Sequence, residues 1–281
     1  MPFVESVDGT RIHYTEWGDR NGEPILFIHG LGADSIGWFL QRRAFREYRC
    51  IAVDNRGSGR SDKPEGPYVL EHMAHDAREV LADAGVESAH VVGASMGGAI
   101  SQYLAVLHPE QVRSLTLACT SCVLRDWRDE LLGDWATTVE EEGMRGFATR
   151  NLGWLFGPRS FRRLYPVAVA IGPFLMRAPD HGFLGQIAAL RTVDPEVAEL
   201  ISDIRVPTLV LTGSQDILTP LSDAEEIAAR IPGSELVVIR GAAHGFMVEN
   251  FRDFNHVVGE FIDRHSGDQA DVIPLRRAET G

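Results

Sequence analysis

One form recurs along this chain of 281 residues: a short, unbroken apolar run that stops at a glycine-rich loop. It appears as PILFIHG at 24–30, CIAVDNRGSGRSD at 50–62, HVVGASMGG at 90–98 and VPTLVLTGSQD at 206–216. Runs this short and continuous suit strands covered on both faces, because a strand with one wet face alternates instead. RIHYTEW at 11–17 does alternate, and VRSLTLAC at 112–119 and ELVVI at 235–239 read as further strands. Helical periodicity fills the intervals. Residues 68–84 place Leu70, Met73, Ala77, Val80, Leu81 and Ala84 on one face, with Gly85 where a C-terminal cap belongs. Residues 96–108 are apolar on nearly every side, and Pro109 follows. Strands alternating with helices predict a mostly parallel α/β sheet with helices on both faces, joined by crossovers.

The alternation stops after Cys122 and resumes near 206. Residues 123–203 are helix-like, with Trp127, Trp135, Phe147, Trp154, Phe156, Phe161, Phe174 and Phe183 scattered among charges. The segment reads as a helical cap inserted into one core made of 1–122 and 204–265, with a disordered tail at 266–281. Ser222 and Glu225 suggest a capping box for a helix at 222–230, and a last helix is expected at 248–264 with Phe251, Phe254, Val258 and Phe261 on one face.

Composition narrows the function classes. The net charge of −13 disfavours nucleic acid and anionic membranes as partners. No apolar run reaches the roughly 20 residues of a membrane span, and the N-terminus does not read as a signal peptide, so a soluble cytoplasmic protein is the expectation. Cys50, Cys119 and Cys122 form no disulfide framework, and Cys50 and Cys119 read as small buried hydrophobes. No His/Cys/Asp cluster has metal-ligand spacing, so neither metal nor cofactor is expected.

Gly93-Ala94-Ser95-Met96-Gly97 is a G-x-S-x-G turn between an apparent strand and a helix, which would strain Ser95 and point its hydroxyl outward. A hydroxyl is a weak nucleophile without a base and an orienting acid. Of ten histidines, His244 stands apart in RGAAHGFMVEN, a glycine-flanked loop after a strand. His13 falls in the alternating strand, His72 and His75 on a helix beside acids, and His181 and His256 in the insertion and last helix. His90 and His108 bracket the serine strand and helix, where surface or helix-end roles suit them. Asp216, in the loop after the run ending at Thr212, is the expected acid. Asp126, beside Arg125 and Arg128, reads as a solvated charge. An oxyanion needs donors. The backbone N–H of Met96 is one, and that of Leu31 in FIHGLGADS is the other choice. His29 in that loop reads as an orderer of the loop by hydrogen bonding.

Taken in order, HGLG, DNRGSGRSDKP, GASMGG, GSQD and GAAH resemble the α/β-hydrolase superfamily over about 3–120 and 205–264. The resemblance implies an eight-stranded α/β-hydrolase sheet with the insertion as helical cap after the sixth core strand. It implies Ser95 as nucleophile, Asp216 as acid, His244 as base, oxyanion donors near Leu31 and Met96, and a structural role for Asp54 and Arg56. Haloalkane dehalogenases and epoxide hydrolases carry aspartate where Ser95 stands, which argues against those reactions. The nearest look is to small bacterial esterases, enol-lactonases and methylesterases. The expected reaction is hydrolysis of a small-molecule ester or lactone through an acyl-enzyme; a homo-oligomer is admitted. Carbon–carbon bond hydrolases and cofactor-free haloperoxidases or perhydrolases share the triad. Some proteins of this fold are ligand receptors without turnover, so these alternatives stay open.

Overall fold

The computed structural model describes residues 2–158, 160–161, 178–192 and 199–267. Phe174 and the tail beyond Gly267 lie outside the described residues. The strands are β1 (Phe3–Glu5), β2 (Arg11–Gly18), β3 (Pro24–Ile28), β4 (Arg49–Val53), β5 (Ala89–Ala94), β6 (Val112–Ala118), β7 (Thr208–Gly213) and β8 (Glu235–Ile239). They form one eight-stranded sheet in the order β1-β2-β4-β3-β5-β6-β7-β8. The pairs β1–β2 and β2–β4 are antiparallel, and every other pair is parallel. The order reverses at β3, which lies between β4 and β5. Loops leaving β3 and β5 therefore diverge at the carboxyl edge, where sheets of this kind open a crevice.

The helices are α1 (Leu70–Asp83), α2 (Met96–Leu107), α3 (Asp126–Asn151), α4 (Asp180–Arg191), α5 (Leu221–Arg230), α6 (Phe246–Glu249) and α7 (Phe251–Arg264). Alternate strand residues feed opposite layers, as the pleat requires. Leu26, Ile28, Val91 and Val210 join Met73 and Leu81 of α1, Ile100 and Leu104 of α2, and Ile227 of α5. Ile25, Phe27, Val92, Leu209 and Leu211 meet Trp38, Phe45 and the Phe254, Val258 and Phe261 face of α7. Each such large side chain contributes about 1.5–3 kcal/mol by leaving water. The edge strand β8 is covered less well, and Leu236 and Val238 stay exposed. Cys50, Cys119 and Cys122 are free and buried.

Local expectations fare unevenly. The 68–84 periodicity forms α1 at Leu70–Asp83, and Gly85 closes it at φ +67. The capping box at Ser222 does not form. Pro220 is the N-cap, α5 starts at Leu221, and no side chain caps it. The extended backbone of Pro220 (ψ 162) starts the helix one residue early and leaves Ser222 inside its first turn. The last helix is two, broken at Asn250 (φ −115, ψ 38). His90 is neither surface nor helix-end: it is 0% exposed within β5, with Nδ1 2.7 Å from Ser114 Oγ on β6.

Between β6 and β7 most of the described residues are helical. Leu132, Val139, Phe147, Phe183 and Ile187 of α3 and α4 form a cluster of their own, with Trp135 edge-on to Phe147 at 5.3 Å. Trp127, Trp154 and Phe161 are exposed. Gly143, at φ +68, interrupts α3.

Candidate active site

β5 ends at Ala94 and α2 begins at Met96, so Ser95 alone makes the turn. It does so at φ +55 and ψ −120. For a residue with a Cβ this region costs on the order of 1–3 kcal/mol. The surroundings hold it there. Ser95 N–H donates to Ala118 O at 2.9 Å, and Ser95 O accepts from Thr120 Oγ1 and Gly98 N at 2.8 Å each. Close approach is possible only because side chains are missing: a Cβ on Gly97 would lie 2.0 Å from Ile28 O, and one on Gly93 2.4 Å from Gly97 O.

The loop after β8 brings in His244. Its Nε2 is 3.0 Å from Ser95 Oγ. Its Nδ1 faces Asp216 Oδ2 at 2.9 Å and Oδ1 at 3.1 Å. Asp216, in the loop after β7, is buried. Its Oδ1 accepts Leu218 N–H at 2.9 Å and Thr219 N–H at 3.0 Å, and Oδ2 accepts Thr219 Oγ1 at 2.8 Å. Burial alone pushes this carboxyl up; the His244 ring and the Thr219 donors outweigh that and hold it below the usual carboxylate range. The Asp216 carboxyl is therefore ionised at neutral pH. Asp126 is exposed at the start of α3, away from this array.

Met96 opens α2, so its N–H is among those with no acceptor inside the helix and lies at the positive end of its dipole. Gly30 presses on the serine: a Cβ there would lie 3.0 Å from Ser95 Cβ. That contact carries the Leu31 backbone to the same edge. His29 orders the loop. Its Nδ1 accepts Gly30 N–H at 2.8 Å, its carbonyl accepts Asn55 Nδ2 at 2.9 Å, and its ring packs on Trp38. Burial, with a smaller push from His244, lowers His29 to about 4, so it stays neutral.

The remaining polar groups brace loops. Asp54 accepts Ser35 N–H (2.8 Å) and Arg60 N–H (2.8 Å) and faces His13 Nδ1 (2.9 Å). Arg56 pairs with Asp76 and Asp8. His75 and His108 pair with each other at 3.0 Å on the outer helices. Among the described residues no group of three His, Cys, Asp or Glu could hold a metal ion, and no helix is long and apolar enough to cross a membrane. Three side chains that brace this site were not singled out from sequence: Thr219 on Asp216, Arg128 on Leu218 O and Gln186 on the Gly32 N–H. Only Thr219 carries a local signal, a hydroxyl three residues after the acid.

A mostly parallel sheet with a strained serine, an aspartate and a histidine on the carboxyl-edge loops after β5, β7 and β8 defines an α/β hydrolase. Known proteins agree: the alpha/beta hydrolase fold family matches residues 23–150, and the TAP-like protein family matches 189–271. A hydrolase from Pseudomonas aeruginosa PA01 is 32% identical with a TM-score of 0.85, over 93% of this chain and 97% of that one. The enol-lactonase from Burkholderia xenovorans LB400 is 27% identical with a TM-score of 0.86, over 93% of this chain and 100% of that one. The 3-oxoadipate enol-lactonase 2 of Acinetobacter baylyi is 27% identical over 257 residues, 90% of this chain and 93% of its own. The chain belongs to the α/β-hydrolase family.

Proposed function

We propose that the protein is a serine hydrolase of carboxylic esters or lactones, with Ser95, His244 and Asp216 as its catalytic triad. The observation that carries this reading is the hydrogen-bonded line from Ser95 Oγ through both His244 nitrogens to Asp216. His244 Nε2 takes the hydroxyl proton as Ser95 Oγ bonds to the carbonyl carbon. Asp216 fixes the tautomer with the proton on Nδ1 and stabilises the imidazolium. The N–H groups of Leu31 and Met96 receive the oxyanion. Collapse expels the alcohol, which takes the proton from His244. In a lactone that alcohol stays tethered to the acyl chain. Water then attacks the acyl-enzyme, losing its proton to His244, and Ser95 is released reprotonated.

The enol-lactonases among the relatives support lactones and esters as the substrate class. The segment between β6 and β7 acts in this reading as a cap, and its aromatic side chains favour a medium-sized, apolar or aromatic acyl group. The test is a panel of p-nitrophenyl esters and lactones run with wild type and Ser95→Ala. Turnover by the wild type and its loss in the variant is the expected result. A variant as fast as wild type, or a fluorophosphonate label on a residue other than Ser95, overturns the assignment.

A further inference from the structure

Gln186 lies on α4, outside the core, yet is 0% exposed with both ends of its amide engaged. Its Oε1 accepts Gly32 N–H at 2.8 Å, and its Nε2 donates to Arg56 O at 2.8 Å. Arg56 is a fixed anchor, since its guanidinium grips Asp76 at 2.7 and 2.8 Å. The helix carrying Gln186 is seated without play. A Cβ on Gly182 would lie 2.4 Å from Gly57 O, and one on Gly185 2.7 Å from the Tyr68 ring. Gln186 thus ties the loop after β3 to a rigid point.

The N–H groups of that loop are already allotted. Gly30 N–H donates to His29 Nδ1 (2.8 Å), Gly32 N–H to Gln186 (2.8 Å) and Ala33 N–H to Gly30 O (3.2 Å). Leu31's is the one N–H from Gly30 to Ala33 with no such partner among the described residues. The Gly32 N–H lies in the Leu31–Gly32 peptide plane, which adjoins the plane that carries the Leu31 N–H. We infer that Gln186 is a positioning residue of the insertion that aims the Leu31 N–H at the oxyanion by holding Gly32. This rests on the ester or lactone hydrolase reading. A donor displaced by a fraction of an ångström loses its grip on the transition state more than on the substrate.

The experiment uses p-nitrophenyl acetate and phenylboronic acid, whose tetrahedral adduct on Ser95 places an oxygen on the same donors. Ser95→Ala is run first: if it turns over as fast as wild type, the hydrolase reading fails whatever Gln186 does. Given Ser95-dependent turnover, Gln186→Met lowers kcat between about 10- and about 100-fold while KM changes less than about twofold. Boronate inhibition weakens in parallel. Gln186→Glu keeps an acceptor for Gly32, whereas Gln186→Lys keeps only a donor for Arg56 O. The Glu variant therefore exceeds the Lys variant in kcat by at least about tenfold, a comparison that stands even where the Met variant does not fold. Equal kcat in the Glu and Lys variants, or a folded Gln186→Met with wild-type kcat, overturns the inference.

Discussion

Ser95 keeps its backbone at φ +55 because the glycines around it let β3 and α2 come into contact. Gly97 is the tightest point. A Cβ there would meet a backbone carbonyl, Ile28 O, at 2.0 Å, which no rotamer change relieves. Gly97→Ala is expected to cost about 1–3 kcal/mol by overpacking, read from urea denaturation, and, on the proposed function, to lower turnover as α2 backs away. Thr219 is a case of hydrogen bonding instead of packing. Its hydroxyl shares Asp216 Oδ2 with His244 Nδ1, while backbone donors hold Oδ1. Thr219→Val keeps the shape and removes one hydrogen bond to a charged group, a loss of about 1.5–3 kcal/mol in unfolding free energy. The remaining backbone donors keep the carboxylate in place, so its kcat falls far less than that of Asp216→Asn. Ser95, Asp216 and His244 were legible in sequence because each follows an apolar run within a glycine-bearing loop. His90 was misread because a polar residue flanking an apolar run looks like the run's end. Only the neighbouring β6 supplies Ser114 to bury it against.

At the scale of elements, the first turn of α3 braces the loop that carries Asp216. Arg128 donates from Nε to Leu218 O at 3.2 Å and from Nη1 to Val123 O at 2.9 Å, and pairs with buried Asp223 at the start of α5. The Leu218 N–H is itself a donor to Asp216. Burial pushes Asp223 up more than Arg128 and Arg125 pull it down, and burial pushes Arg128 down, so neither charge is comfortable alone. Arg128→Met is expected to cost up to about 3 kcal/mol, because it leaves buried Asp223 with the more exposed Arg125 as its remaining cation. The double variant Arg128→Met with Asp223→Leu regains most of that stability, while kcat stays low because Leu218 O has lost its donor. Urea denaturation beside kcat separates the two effects. The periodicity of 123–203 showed helices, but it could not show that Arg128 and Leu218, 90 positions apart, would meet. The same element-level packing overruled the Ser222 capping signal: Pro220 starts α5, and Asp223 turns to Arg128.

For the molecule as a whole, pH couples stability to His90 and His29. Burial, with help from Arg113, lowers His90 to about 4, against about 6.5 for a free histidine. Between those values the unfolded chain binds a proton that the folded chain refuses. Stability therefore falls as pH drops from about 6.5 to about 4, by up to about 1.4 kcal/mol per pH unit for this one group. His29, held down to about 4, adds loss in the same window. Asp216, held below the usual carboxylate range, adds its loss at lower pH still, as its own proton returns. His90→Asn is expected to flatten part of the slope of urea midpoint against pH between 6.5 and 4; an unchanged slope would show that His90 does not carry it. Local chemistry was enough to write the sheet, its two covering layers and its chemical edge into the chain: β3, β5 and β7 are apolar runs apart from buried His90, Thr208 and Thr212, and glycines stand where strands must turn. Those signals act over a few residues, so they survive in any reading of neighbours. The bracing of the loops after β3 and β7 arose only on folding. Gln186 reaches Gly32 across 154 positions, and a hydrogen bond between distant polar residues leaves no periodicity for either partner to announce.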